Sequence, residues 1–188
     1  MNKNLKLDNQ SGWLLGVRHH PSPNCDERPC GVAIDMLVIH GISLPPGQYG
    51  GDYIDQLFTN SLDCNAHPYF TQIANLRVSA HALINRKGNI TQYVPFTARA
   101  WHAGESEFCG RTCCNDFSIG IELEGSDEEP YTGEQYRELA RLCRCLMNKW
   151  PGITRERIVG HSDIAPGRKT DPGPLFEWQL LNNELDKA

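Results

Sequence analysis

Residues 34–40, Ile-Asp-Met-Leu-Val-Ile-His, decide how this chain folds: an almost unbroken apolar run closed by a single histidine. A strand with one wet face alternates apolar and polar residues, whereas a continuous run of this length predicts a central strand buried on both faces. Pro45-Pro46-Gly47 and Gly50-Gly51 follow at once, so the chain enters a loop just beyond His40. Residues 52–59 then fit a short helix. Further on, Arg77 to Ile84 alternates, with Arg77, Ser79 and His81 on one side and Val78, Ala80, Ala82 and Ile84 on the other. Asn85-Arg-Lys-Gly88 reads as a hairpin turn into a strand at Ile90 to Val94. Phe117 to Glu124 alternates again, Ile119, Ile121 and Leu123 opposing Ser118, Gly120, Glu122 and Glu124.

Helical spacing is clearest over 133–150, where Tyr136, Leu139, Ala140, Cys143, Leu146, Met147 and Trp150 form one stripe. Thr132 with Gln135 makes a capping box at its start, and Pro151 stops it. A second helix is expected after Pro174, carrying Phe176, Trp178 and Leu181. Hairpin and longer connections together predict a single α/β domain, its core over about 13–180, with a mixed central sheet flanked by helices.

Composition narrows the function. A chain of 188 residues suits one domain, and 39% hydrophobic residues suffice for a core without staples. The net charge of -5 offers no electrostatic footprint for nucleic acid or an anionic membrane. No run approaches the roughly 18 apolar residues of a membrane span. Lys3 and Lys6 precede Trp13-Leu-Leu-Gly-Val17, but a secretory leader needs about 7–15 apolar residues and a small-residue cleavage site. A cytoplasmic protein is therefore expected. The eight cysteines include a vicinal pair, Cys113-Cys114, and match no zinc spacing, so reduced structural thiols are expected rather than a disulfide framework.

The densest chemistry lies in Gly160-His-Ser-Asp-Ile-Ala-Pro-Gly-Arg-Lys-Thr-Asp-Pro-Gly-Pro174, a Pro- and Gly-rich loop full of ionisable groups. His161 and Asp171, joined by His40 at its strand end, would give two imidazoles and one carboxylate with a fourth position open, as in catalytic zinc sites. Lys169 lies two residues before Asp171, so an extended segment would project both to one side, where an ammonium suits a developing oxyanion. Spacing alone leaves alternatives: His161 can cap a loop, Asp163 competes with Asp171, and Arg168-Lys169 can be a solvated charge pair. Glu122 beside the side-chain-free Gly120 leaves room for a ligand over the sheet, yet alternation fits a solvated face at least as well. His19, His20, His67 and His102 sit in polar or loop settings and are weaker candidates.

Several segments taken together resemble one family, the AmpD-type 1,6-anhydro-N-acetylmuramoyl-L-alanine amidases, related to phage amidase-type lysozymes and peptidoglycan recognition proteins. They are Leu37-Val-Ile-His-Gly-Ile-Ser-Leu-Pro-Pro-Gly47, His67-Pro-Tyr-Phe70, Val78-Ser-Ala-His81, Arg99-Ala-Trp-His-Ala-Gly104, Cys114-Asn-Asp-Phe-Ser-Ile-Gly-Ile-Glu-Leu-Glu-Gly125 and Gly160 to Pro174. The resemblance implies zinc (Zn2+), one ion per chain, on His40, His161 and Asp171, with Glu122 and Lys169 as the catalytic pair. It implies an anhydro-muropeptide substrate, Trp101 against the sugar, Arg77 toward the peptide, and no obligate protein partner. It also carries two departures: Gly41 stands where the family usually has Asn, and Cys113 where an Arg is common, with Arg111 a possible stand-in. The competing readings are a non-catalytic peptidoglycan-fragment binding module, disfavoured by the complete ligand set, and a secreted amidase acting on intact wall.

Overall fold

The computed structural model describes residues 5–187. Lys3, weighed above for a leader, lies outside them. Six strands make the central sheet: β1 (Arg18–His19), β2 (Met36–Ile42), β3 (Ala82–Ile84), β4 (Ile90–Gln92), β5 (Ser118–Glu124) and β6 (Ile158–Gly160), in the spatial order β6-β2-β5-β3-β4-β1. β2 lies parallel to both β5 and β6, β5 is parallel to β3, and β3 and β4 form the antiparallel hairpin. The sheet is mixed, as the sequence predicts. Three two-stranded ribbons decorate it: Lys6–Leu7 with Leu14–Leu15, Cys25–Asp26 with Arg99–Ala100, and Glu107–Phe108 with Arg111–Thr112.

The helices are α1 (Tyr53–Phe58), α2 (Phe70–Ile73), α3 (Gly133–Lys149), α4 (His161–Ile164) and α5 (Trp178–Leu185). The apolar stripe of α3 and that of α5 cover one face of the sheet, burying Leu37, Ile39, Ile119, Ile121 and Leu123. Two further apolar clusters sit elsewhere, one on Met36, Val38, Phe117 and Ile164, the other on Leu83, Phe58, Phe70 and Tyr93. No helix among the described residues is long and apolar enough to cross a membrane. All eight cysteines are free thiols.

Two expectations need correction. The strand expected from Arg77 is only Ala82–Ile84. The backbone before it is tied to loops instead: the Ser79 N–H donates to Trp101 O, and the Ser79 hydroxyl donates to Asn24 O. The polar face of β5 is not open either, because all seven of its residues are buried. A Cβ at Gly120 would meet the His102 ring at 2.4 Å, so the room beside Glu122 is filled by an imidazole rather than kept for a ligand.

The capping box at Thr132 forms as expected, and its partner does more than cap. Gln135 is fully buried, and its Nε2 donates to Ile84 O and Glu124 O, the last carbonyls of β3 and β5. One side chain thus welds the start of α3 to the ends of two strands. Gln135→Ala should strand these carbonyls and cost about 2–3 kcal/mol of stability. Urea unfolding checks this: a lower midpoint at unchanged slope is expected, and a loss under about 0.5 kcal/mol would mean the weld is dispensable.

Candidate metal centre and active site

Parallel pairing fixes the first relation in the site: Glu122 on β5 lies directly beside His40 on β2. Both therefore project from the same face near the C-terminal ends of their strands. His161 opens α4 where β6 ends, and Asp171 sits in the loop that follows. That loop is held close because the Ser162 N–H donates to Asp171 O at 3.0 Å.

The three side chains meet. His40 Nδ1 lies 3.0 Å from His161 Nδ1 and 3.0 Å from Asp171 Oδ2, and His161 Nδ1 lies 3.1 Å from that same oxygen. Asp163 takes no part: its Oδ2 accepts the Gly160 N–H at 2.7 Å. Histidine tautomers follow from the surrounding bonds. The Cys114 carbonyl can only accept, and it takes the Ser118 hydroxyl proton at 2.6 Å. Ser118 Oγ is thereby left to accept from His102 Nε2 at 3.1 Å. His102 Nδ1, now a bare lone pair, accepts from His40 Nε2 at 2.9 Å. His40 Nδ1 is then unprotonated. By the same reasoning His161 donates its Nε2 proton to Ala103 O at 3.1 Å, which leaves its Nδ1 bare.

Two imidazole lone pairs and a carboxylate thus converge with no proton between them, an arrangement that repels itself unless a cation is shared. A tetrahedral ion with bonds of about 2.0–2.1 Å separates its donors by roughly 3.3 Å, close to the observed triangle. Two nitrogens and one oxygen are the donor set of a catalytic zinc. The residues fit that ion. Burial, opposed by the Asp171 hydrogen bond, lowers the His40 pKa to about 4, so the ring is neutral.

Glu122 is buried, and its Oε2 has no hydrogen-bond partner. Burial pushes its pKa well above the ordinary carboxylate range; Asp171 adds to the shift and Lys169 opposes it. Lys169 is exposed, and its N–H donates to Ala165 O, closing the turn over residues 166–168. Trp101 is partly buried, its indole N–H unpartnered. Arg77 is exposed, with Nη1 on the neighbouring Leu76 carbonyl at 3.3 Å. Arg111 is no stand-in at Cys113: it pairs with Asp35 at 2.7 Å and lies over the Phe117 ring. Cys113 itself lines a cleft of about 550 Å³ together with Arg168. A larger cavity, about 1440 Å³, lies between the N-terminal ribbon and α3 and is lined by none of His40, Glu122, His161 or Asp171.

His102, a weaker candidate from the sequence, is the residue whose part in the site the sequence did not reveal. Its loop setting hid it, and the one usable signal was Gly120, whose missing side chain the ring requires.

Comparison with known proteins bears on this site. A family model described as N-acetylmuramoyl-L-alanine amidase matches residues 31–174. The chain is 57% identical over 169 residues to the 1,6-anhydro-N-acetylmuramyl-L-alanine amidase AmpD of Escherichia coli strain K12, covering 90% of this chain and 92% of that protein. The crystal structure of a selenomethionine AmpD derivative superposes with a TM-score of 0.92 at 54% identity, over 96% of this chain and 99% of that one. A complex of the amidase AmiD from E. coli with anhydro-N-acetylmuramic acid-L-Ala-D-gamma-Glu-L-Lys gives 0.60 at 30% identity, over 97% of this chain and 66% of that one. In sequence and fold alike, the chain belongs to the N-acetylmuramoyl-L-alanine amidase family.

Proposed function

We propose that this protein hydrolyses the amide joining 1,6-anhydro-N-acetylmuramic acid to L-alanine in soluble cell-wall fragments, using one zinc ion on His40, His161 and Asp171. The observation that carries the reading is the convergence of two unprotonated Nδ1 atoms and Asp171 Oδ2 within 3.0–3.1 Å, beside a buried carboxylate with a free oxygen. The family is zinc-dependent in general, and its AmpD members act on the anhydro sugar by name. Eight free thiols and the small, soluble substrate support work in the cytoplasm, on recycled fragments rather than polymer.

When bound, zinc supplies Lewis-acid polarisation and lowers the pKa of a water toward about 7. The protein's own groups do the rest. Glu122 Oε2 accepts the proton of the attacking water as oxygen bonds to the lactyl carbonyl carbon. Because its pKa is raised, the protonated carboxyl is a competent donor, and it passes that proton to the alanine nitrogen as the C–N bond breaks. Water is added across the amide: one of its protons reaches the nitrogen through Glu122, the other passes from the new carboxyl group to the amine, and a carboxylate on the sugar and an ammonium on the peptide remain. Lys169 supplies a positive charge for the oxygen that turns negative in between. Trp101 offers a flat apolar surface to the sugar ring, and Arg77 a cation toward the peptide.

Mass spectrometry of an anhydro-muropeptide incubated with the protein should find the free peptide and the anhydro sugar. Chelation should stop their release and zinc restore it; intact substrate in every sample would sink the proposal. Glu122→Gln should keep stoichiometric zinc yet lose about 10²–10⁴ in turnover, and Lys169→Ala about 10²–10³. Near-normal turnover of either variant removes that residue from the mechanism. His102→Ala breaks the chain that bares His40 Nδ1, so zinc affinity should fall about 10–100-fold. An unchanged affinity, measured by chelator competition, would show that His40 finds its tautomer unaided.

A further inference from the structure

Two consecutive residues orient two of the three converging side chains. His102 accepts the His40 Nε2 proton at its own Nδ1, and Ala103 accepts the His161 Nε2 proton at its carbonyl. Residues 101–104 lie in no helix or strand, so their backbone must find its partners elsewhere. The N–H groups of His102 and Ala103 find the same one: Asn115 Oδ1, at 3.1 and 2.8 Å. Two N–H donors can only meet the oxygen end of that amide, which settles which way the side chain is turned. Asn115, His102 and Ala103 are all buried, so both N–H groups depend on this acceptor.

Asn115 belongs to the short 3₁₀ turn Cys114–Asp116, directly before β5, the strand that carries Glu122. Cys114 O and Ser118 Oγ, which end the His102 chain, flank it in sequence. One stretch of chain thus grips His102 twice, at the N–H through Asn115 and at ring Nε2 through Ser118. The turn itself is gathered by the partly buried guanidinium of Arg28. It donates to Asn115 O at 3.0 Å, Asp116 O at 3.1 Å and Ser118 O at 2.9 Å.

We infer that Asn115 is a positioning residue for the metal centre, its one amide oxygen fixing the 102–103 backbone and with it the orientation of both His40 and His161. This rests on reading those histidines as zinc ligands. Only the two backbone torsions of Ala103 separate its anchored N–H from its carbonyl. Arg168 Nη2 donates to that carbonyl at 2.7 Å, so the residue is held at both ends. With the Asn115 oxygen gone, the Ala103 carbonyl can swing away from His161 and the His102 ring away from His40. Each imidazole is then free to carry its proton on Nδ1, the form whose Nδ1 cannot bind an ion.

Two measurements on the full chain test this: zinc dissociation constants from chelator competition, and imidazole nitrogen shifts from NMR of the metal-free protein. Asn115→Ala should weaken zinc about 10–100-fold, the usual loss for an outer-shell partner. In that variant both His40 and His161 should gain an Nδ1-protonated population, which a loss of bulk stability alone would not produce. Asn115→Asp keeps an acceptor oxygen in place, so it should hold zinc within about threefold of wild type and retain the Nε2-protonated rings. Asn115→Ser, whose hydroxyl stops one bond short, replaces the alanine variant if melting of the metal-free protein shows that variant unfolded. Wild-type affinity and unchanged tautomers in the folded Ala or Ser variant overturn the inference, as does an Asp variant as weak as these. A tautomer change at His40 alone would give the Ala103 carbonyl to Arg168 and overturn the claim for His161. Undiminished zinc binding in both His40→Ala and His161→Ala would instead overturn the ligand reading beneath it.

Discussion

Electron pairs with nowhere to go are the constraint around which this protein is arranged. Two imidazole nitrogens and a carboxylate oxygen, each stripped of any proton by its surroundings, are held about 3 Å apart inside a folded chain. Such a cluster raises the energy of the fold on its own, and becomes favourable once one small cation is shared among the three. The repulsion has to be resisted by the scaffold. That explains why each of the three is restrained from outside the triangle: His40 by the His102–Ser118 chain, His161 by the Ala103 carbonyl, and Asp171 by backbone bonds at its own carbonyl, from the Ser162 N–H, and at the Pro172 carbonyl, from the Tyr131 hydroxyl. These restraints are the kind of pre-organisation that lets a set of only three side chains hold an ion tightly.

The sheet supplies the remaining precision. Parallel registration of β2 with β5 sets Glu122 against His40 through main-chain bonds, so the two side chains cannot drift independently. Two residues on, Glu124 accepts the backbone N–H groups of Gly50 and Arg86, which ties the loops after β2 and β3 to the strand that carries Glu122. Gln135 closes the other side. The floor of the site, two loops near it and the first turn of α3 form one rigid unit. The Glu122 carboxylate is buried within it, which accounts for its readiness to hold a proton.

Local patterns told the sequence reader about elements whose stability is local. The apolar run to His40, the capping box at Thr132 and the α3 stripe each follow from a periodicity or a short-range bond, and each lies where it was expected. The candidate metal set was legible as residue types; spacing alone left Asp163 open, the resemblance chose Asp171, and in the fold the Asp163 carboxylate accepts the Gly160 N–H. What stayed hidden depends on contacts distant in sequence. Alternation over Ser118–Glu124 looks like a wet face, but parallel neighbours and an imidazole from residue 102 cover it. Arg77–His81 has strand periodicity, yet spends its backbone bonds on residues such as Trp101 and Gly120. Arg111 seemed free to serve the peptide groove until Asp35, 76 positions away, claimed it.

One feature of the histidine wiring bears on how such a site survives mutation. Both chains of donors end on main-chain oxygens, at Cys114 and Ala103. A carbonyl belongs to the backbone, and nearly every amino acid that could be substituted at those two positions would bring the same one. The instruction that bares each Nδ1 is thus stored in chain geometry, where genetic drift cannot easily erase it. Selection on this instruction would fall instead on Ser118 and His102, the links that do have side chains to lose. Positions 103 and 114 can vary with packing alone to answer to, and the state of the metal ligands would not register the change.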